Sequence, residues 1–230
     1  MIQHSLTKKA CYLTSITMAV TSNLSPLLFL TFRDMYGLSY TLLGLLVVIN
    51  FVTQLSVDLI FTFFTKYFNI HKTVKCTPFV AFVGLIIYAV FPRVFPGAAF
   101  FWIALGTIVC SAGSGLAEVL MSPVIAAIPS ENPEREMSKL HSMYAWGVVG
   151  VVILSTLFLL VFGSTNWMYL ALFWSVVPLI AFLLFLKSEL PAMNNFGEKQ
   201  NQIAYRWHCF SQICSSWRIH HYGQTAIQSG

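Results

Sequence analysis

Hydrophobic positions along this chain form six long blocks between residues 10 and 187, separated by short polar connectors. Each block reaches the ~20 residues that a helix needs to cross a bilayer, whereas a strand of a membrane barrel needs only about ten. Helices also satisfy their own backbone hydrogen bonds in hydrocarbon. The pattern predicts an all-α membrane protein with six transmembrane helices, over Ala10–Phe32, Leu38–Phe64, Cys76–Phe95, Ala98–Ile128, Leu140–Phe162 and Trp167–Leu186.

Composition supports the same class. Only 9% of the 230 residues are charged, 57% are hydrophobic, and the mean hydropathy is +0.73. A water-soluble domain carries about 25% charged residues, so this composition excludes one. We expect residues 1–190 to form the helical bundle in the lipid bilayer and residues 191–230 to form a disordered cytoplasmic tail.

The basic residues predict an orientation. With the N-terminus placed in the cytoplasm, only Arg33 and Arg93 of the 13 lysines and arginines fall outside. Cytoplasmic loops of membrane proteins are enriched in Lys and Arg, which favours a plasma-membrane protein with both termini inside. Tyr36, Trp102 and Trp167 lie near the predicted outer ends, where interfacial aromatic residues are expected.

The six spans divide into two similar halves of three. The first span of each half carries a polar residue followed by a proline, Asn23 and Pro26 in one half and Glu118 and Pro123 in the other. This correspondence indicates a 3+3 inverted repeat, as found in many secondary transporters.

Polar side chains in the spans recur at helical spacing. Asn50, Gln54, Asp58 and Thr62 share one face of the second span because they stand four residues apart. Such faces line an aqueous path or join helices to one another, and both interpretations stay open here. Two further faces carry the same ambiguity: Ser111, Gly115, Glu118 and Ser122, and Thr14, Thr17, Thr21 and Ser25. Helix packing is favoured for their serines and threonines, whereas a functional role is favoured for Glu118.

Asp58 and Glu118 are the acidic residues well inside the spans. A charge at this depth is costly, so we expect Glu118 to face protein or water. A carboxyl group without a cationic partner in a low dielectric can take up a proton near neutral pH. Asp58 lies two turns before Lys66, so a structural charge pair is an equal alternative there. His141, at the start of the fifth span near Tyr144, is either a proton relay or a solvated interfacial residue.

Residues 111–150 resemble the sugar-permease branch of the major facilitator superfamily, the type of the fucose–proton symporters. The resemblance is carried by the pattern Ala112-Gly113-x-Gly115-x-x-Glu118-x-x-x-x-Pro123 and, after the inner loop, by Leu140, His141, Tyr144 and Gly147. The loop at residues 65–72 departs from the superfamily pattern Gly-x-x-x-Asp-Arg-x-Gly-Arg-Lys and keeps only its basic character.

The resemblance implies the six-helix N-terminal half of a twelve-helix carrier for a small polar solute and protons, with the solute bound between the two halves. It also implies that Glu118 responds to protons and that Asn23, Asn50 and Gln54 line the cavity. We expect one such bundle to be weakly active or inactive alone, and we expect it to pair with a second six-helix bundle or a second copy. A six-span channel or an assembly partner acting as a homodimer is the alternative.

The tail breaks in composition from the rest of the chain. Residues 201–230 contain no acidic residue but several aromatic, cysteine and histidine residues, and a reading-frame change or truncation is our hypothesis for them. Cys209, Cys214, His220 and His221 lack the spacing of a zinc site, so no metal is predicted. The spans contain no HExxH sequence. We expect no enzyme activity, no cofactor and no nucleic-acid partner.

Overall fold

The computed structural model describes residues 3–191, so the predicted tail lies outside the described residues apart from Pro191. Within this range the chain forms α-helices joined by short turns, and no strand. The helices are α1 Gln3–Leu27, α2 Phe29–Tyr36, α3 Tyr40–Phe64, α4 Ile70–Val94, α5 Ala99–Ala127, α6 Pro133–Phe162 and α7 Trp167–Lys187.

Five of the described helices, α3 to α7, are long and apolar enough to cross a membrane. A sixth span results if α1 and α2 are counted as one bent segment. The described residues therefore confirm the all-α membrane fold predicted from the hydrophobic blocks.

The first predicted span is not one straight helix. α1 and α2 meet at Leu28 with a bend of 46°. Pro26 lies just before the break; it has no backbone N–H, and its ring crowds the preceding turn. After the bend, α2 continues beyond the predicted boundary at Phe32 to Tyr36, where Gly37 ends it in a left-handed conformation with φ 65°.

Three helices begin before the apolar blocks do. α1 starts at Gln3, α4 at Ile70 and α6 at Pro133, six to seven residues ahead of the predicted spans. These first turns are polar and continue the helices beyond the hydrocarbon. The side chain of Asn69 caps α4 by accepting a hydrogen bond from the backbone N–H of Lys72 at 3.2 Å.

The helix packing agrees with a two-part repeat. The principal packing pairs are α1 with α5, α6 and α7, α4 with α5 and α7, and α3 with α5. A two-part repeat makes the bent first span equivalent to α5, α3 equivalent to α6, and α4 equivalent to α7. When each helix is replaced by its equivalent, the same set of packing pairs results. The two halves of three spans predicted from Asn23–Pro26 and Glu118–Pro123 thus occupy equivalent places in the bundle.

An aromatic cluster fills one end of the bundle. Trp167 is fully buried there, with its ring 5.0 Å from that of Phe32 and 6.0 Å from that of Tyr88. Its place at the start of α7 is as expected, but α2 and α4 cover it.

Candidate functional site

A cavity of about 290 Å³ lies between α1, α3, α5 and α6. Its wall contains four of the predicted site residues, Gln54, Glu118, His141 and Tyr144. These residues come from three helices and are up to 90 positions apart in the sequence, so the fold alone brings them together. The other lining residues are Ser15, Met18, Ser22, Ala117, Met121, Ser122 and Leu140.

Gln54 and Glu118 form the polar contact at the cavity wall. The side-chain amide Nε2 of Gln54 donates a hydrogen bond to Oε2 of Glu118 at 2.6 Å. The Glu118 side chain is exposed, and among the described residues no lysine or arginine pairs with it. The carboxyl group therefore reaches open space with one neutral hydrogen-bond donor to orient it, which leaves it accessible to protons and to solute hydroxyl groups.

The polar stripe of α3 faces α5. Asn50 is buried and accepts a hydrogen bond at Oδ1 from Ser111 Oγ at 2.6 Å. Oδ1 of Asp58 is buried beside Gly115 and has no hydrogen-bond partner among the described residues. The charge pair of Asp58 with Lys66 stays a prediction, because the side chain of Lys66 lies outside the described part of the chain. The stripe is thus a helix–helix interface, and of its predicted site residues only Gln54 reaches the cavity.

Two glycines of the α5 pattern, Gly113 and Gly115, determine where Glu118 lies. A Cβ atom at Gly115 would lie 2.9 Å from the carbonyl oxygen of Gln54, and one at Gly113 would lie 3.0 Å from the backbone nitrogen of Ala81. α5 therefore approaches α3 at Gly115 and α4 at Gly113, as small residues allow in membrane bundles. One turn later, Glu118 emerges from the α3–α5 contact at the cavity.

Two faces of α1 have different roles. The predicted face carrying Thr14, Thr17 and Thr21 is buried, and Thr21 Oγ1 lies 2.5 Å from Ser114 Oγ on α5. Asn23 donates its Nδ2 hydrogen to the carbonyl oxygen of Ala19 at 2.8 Å and does not line the described cavity. The adjacent face reaches the cavity through three residues that were not predicted from the sequence, Ser15, Met18 and Ser22.

His141 and Tyr144 supply the α6 side of the cavity. His141 is exposed and Tyr144 is half-buried, one turn apart on the same face. One turn further on, Gly147 packs against Ile16 and Ala19 and brings α6 close to α1. A histidine and a phenol opposite a carboxyl group can donate and accept hydrogen bonds to a small polar molecule.

We also searched the described residues for side chains that could bind a metal ion together. Within residues 3–191, no three histidine, cysteine, aspartate or glutamate side chains cluster closely enough to hold a metal ion. The cysteine and histidine residues weighed as a zinc site in the tail lie outside these residues.

Apolar helices around a small polar cavity define a multi-pass membrane protein of the transporter class. The sequence model of the Major Facilitator Superfamily matches residues 10–221. The chain therefore belongs to this superfamily of secondary transporters. Comparisons with curated proteins and with solved structures gave no significant match.

Proposed function

We propose that this chain serves proton-coupled transport of a small polar solute such as a sugar. The observation that carries the proposal is the convergence of Gln54, Glu118, His141 and Tyr144 on one cavity. Sugars bind through several hydroxyl groups, and these four side chains offer amide, carboxylate, imidazole and phenol partners. The Gly/Glu/Pro pattern of α5, which resembles that of sugar permeases, supports the same substrate class.

Glu118 is the proposed proton carrier. Its carboxyl group is reachable from the cavity and, among the described residues, is oriented by the neutral donor Gln54 rather than by a cation. Protonation would remove its negative charge and change the hydrogen bonds it offers to a bound solute. Proton binding to this carboxyl group would then change the affinity for the solute, and solute binding would change the affinity for the proton by the same factor.

A second bundle completes the proposed site. Glu118 and His141 are both exposed, so one side of the cavity wall is open. Alternating access needs two bundles that move about a shared site, and a single bundle cannot enclose the solute. We propose that a second six-helix bundle covers this side, with a second copy of the chain as the alternative. The proposed location is the plasma membrane, with both termini in the cytoplasm.

Saturation-transfer NMR on the purified chain in detergent tests both the proposed sugar binding and the proposed proton role of Glu118. The method is suited to this chain because it detects weak binding to a cavity that is open on one side. A panel of monosaccharides is measured at pH 4, pH 6 and pH 8 on three proteins. These are the unmodified chain, Glu118→Gln, and Glu134→Gln, which makes the same substitution at an exposed position outside the cavity. We expect sugar binding to strengthen as the pH falls in the chain and in Glu134→Gln, and we expect this dependence on pH to be smaller in Glu118→Gln.

The two parts of the proposal can fail separately. If none of the sugars binds at any of the three pH values, the substrate class is wrong. If a sugar binds and Glu118→Gln keeps the full pH dependence of the unmodified chain, Glu118 is not the proton carrier.

A further inference from the structure

A second and larger cavity, of about 1060 Å³, lies between the start of α1, the loop joining α5 to α6, and the first turns of α6. It shares no lining residue with the cavity at Glu118. Its volume is in the range of pockets that hold small molecules. We call it the basic cleft, and its charged wall residues are Lys8, Lys9, Glu131, Arg135, Glu136 and Lys139.

The basic cleft has a surplus of positive charge. Four of its residues are cations and two are carboxylates. Glu136 is engaged within the protein: it accepts a hydrogen bond from Tyr12 at 2.6 Å, and its oxygens lie 2.9 Å from Lys139 Nζ and 3.4 Å from Lys8 Nζ. These contacts fix the position of one carboxylate and of two of the cations around it.

Lys9 and Arg135 carry the unbalanced charge. Both side chains are exposed, and neither forms an ion pair with any carboxylate of residues 3–191. Lys9 comes from α1 and Arg135 from the first turn of α6, and both line the cleft. An anion entering the cleft therefore meets two cations that have no partner of their own.

The cleft lies at the boundary of the membrane. Lys8 and Lys9 immediately precede the apolar part of α1, and Lys139 immediately precedes Leu140, where the apolar part of α6 begins. The third wall contains Ile128 and Pro129, directly after the end of α5. Basic pockets between helices at this level are suited to lipid headgroups.

We propose that the basic cleft binds the phosphate of an anionic phospholipid headgroup, with Lys9 and Arg135 as its principal charge partners. The hydroxyl groups of Ser5 and Ser130 and the amide of Asn132 line the same cleft and can donate hydrogen bonds to the headgroup. The position of the cleft at the hydrocarbon boundary, where the apolar parts of α1 and α6 begin, favours a lipid over a soluble anion.

The test measures ligand-dependent thermal stabilisation of the purified chain in a neutral detergent. The probes are short-chain phosphatidylglycerol, short-chain phosphatidylcholine and glycerol 3-phosphate. The variant Lys9→Gln/Arg135→Gln removes the two unpaired cations of the cleft. The variant Lys72→Gln/Lys75→Gln is the matched control, because it removes two cations from the start of α4, outside the cleft.

We expect phosphatidylglycerol to stabilise the unmodified chain and the control variant with similar apparent Kd. For Lys9→Gln/Arg135→Gln, the apparent Kd should rise about 30-fold, as the loss of two basic residues near an anionic surface implies. Phosphatidylcholine and glycerol 3-phosphate should stabilise all three proteins only weakly. The single variants Lys9→Gln and Arg135→Gln, each expected to weaken binding about 5-fold, keep the test valid if the double variant does not fold.

Two outcomes would overturn the proposal. Equal weakening in the cleft variant and the control variant would show general attraction of a basic protein for anionic lipid. Binding of glycerol 3-phosphate as tight as that of phosphatidylglycerol would assign the cleft to a soluble phosphate compound instead.

Discussion

The side chain of Gln54 on α3 holds the carboxyl group of Glu118 on α5 through a hydrogen bond of 2.6 Å. This contact joins two helices at the wall of the candidate site. It places Glu118 without neutralising it, since an amide group carries no net charge. The hydrogen bond between Gln54 and Glu118 thus joins α3 to α5 and also holds the carboxyl group in its exposed position.

The energy of this contact can be measured with a double-mutant cycle of Gln54→Leu and Glu118→Leu. We expect a coupling of about 0.5–1.5 kcal/mol in the free energy of unfolding, the net value of one hydrogen bond, with more if the carboxyl group is charged. Ser56 bonds only to the carbonyl oxygen of Val52 in its own helix. A cycle of Ser56→Ala with Glu118→Leu should therefore give no coupling, and a coupling as large as that of Gln54 would contradict the assignment.

Close packing at Gly106 predicts a second stability effect. A Cβ atom there would lie 2.7 Å from Cα of Tyr88, so Gly106→Ala must push α5 away from α4. We expect a loss of about 1–3 kcal/mol in the free energy of unfolding, typical of overpacked cores. Gly150→Ala meets no atom within 4 Å and should be neutral or slightly stabilising, because alanine favours helices. Equal losses for both variants would argue against this packing.

Glu136 predicts a dependence of stability on pH. It lies in the polar turns of α6 before Leu140, outside the apolar segment. The hydrogen bonds from Tyr12 and Lys139, together with the charge of Lys8, lower the pKa of Glu136 from 4.5 to about 2. A carboxyl group whose pKa falls on folding stabilises the native state fully above its ordinary pKa, and this stabilisation is lost as the pH falls toward the lowered value.

We therefore expect Glu136→Gln to lower Tm at pH 7, with a difference from the unmodified chain that shrinks below pH 4.5. Thermal unfolding between pH 3 and pH 8 measures this. Glu134→Gln, at an exposed position in the same helix turn, provides the control and should leave Tm unchanged at every pH. A difference for Glu136→Gln that is constant from pH 3 to pH 8 would contradict the assignment.

The open side of the cavity predicts which positions react with a charged thiol reagent. Cysteines introduced at Ser122 and His141, in a background with Cys76, Cys209 and Cys214 replaced by serine, should react rapidly in membranes. A cysteine introduced at Ser111 should stay unmodified because that position is fully buried between α3 and α5. Slow reaction at both cavity positions would indicate that lipid or protein covers the cavity.

A single bundle should not accumulate solute. Proteoliposomes with at most one chain each, given an inward proton gradient and a radiolabelled sugar, should show no uptake above empty vesicles, because an open cavity cannot alternate between the two sides. Chemically crosslinked pairs that accumulate the sugar would identify a second copy as the completing bundle. Accumulation by single chains would contradict the need for one.

Much of the fold was predictable from the sequence. Five apolar blocks each correspond to one helix, and the first corresponds to the bent pair of α1 and α2, because helix length and hydrocarbon thickness are linked directly. The four-residue spacing of Asn50, Gln54 and Asp58 correctly placed them on one face of α3. Ends such as Gln3 and Pro133 were missed because hydropathy marks where the hydrocarbon ends, whereas a helix continues until its backbone hydrogen bonds stop.

The site was only partly predictable. Glu118 was identifiable as an acidic residue within an apolar block, and its place in the cavity agrees with that choice. On α1, the threonine face and the face of Ser15, Met18 and Ser22 differ by one residue in register, and the threonine face is the more polar of the two. Which of them meets the cavity depends on how closely α5 and α6 approach α1, and that is set by contacts such as Thr21 with Ser114 and Gly147 with Ala19.

Among the described residues, the lining of the cavity comes from α1, α3, α5 and α6, and α4 and α7 supply none of it. α4 and α7 instead pack against α1, α5 and each other. Under the proposed function, a substitution that reshapes the lining would leave α4 and α7 unaltered. These two helices would then keep their mutual packing while the solute preference of the cavity changes.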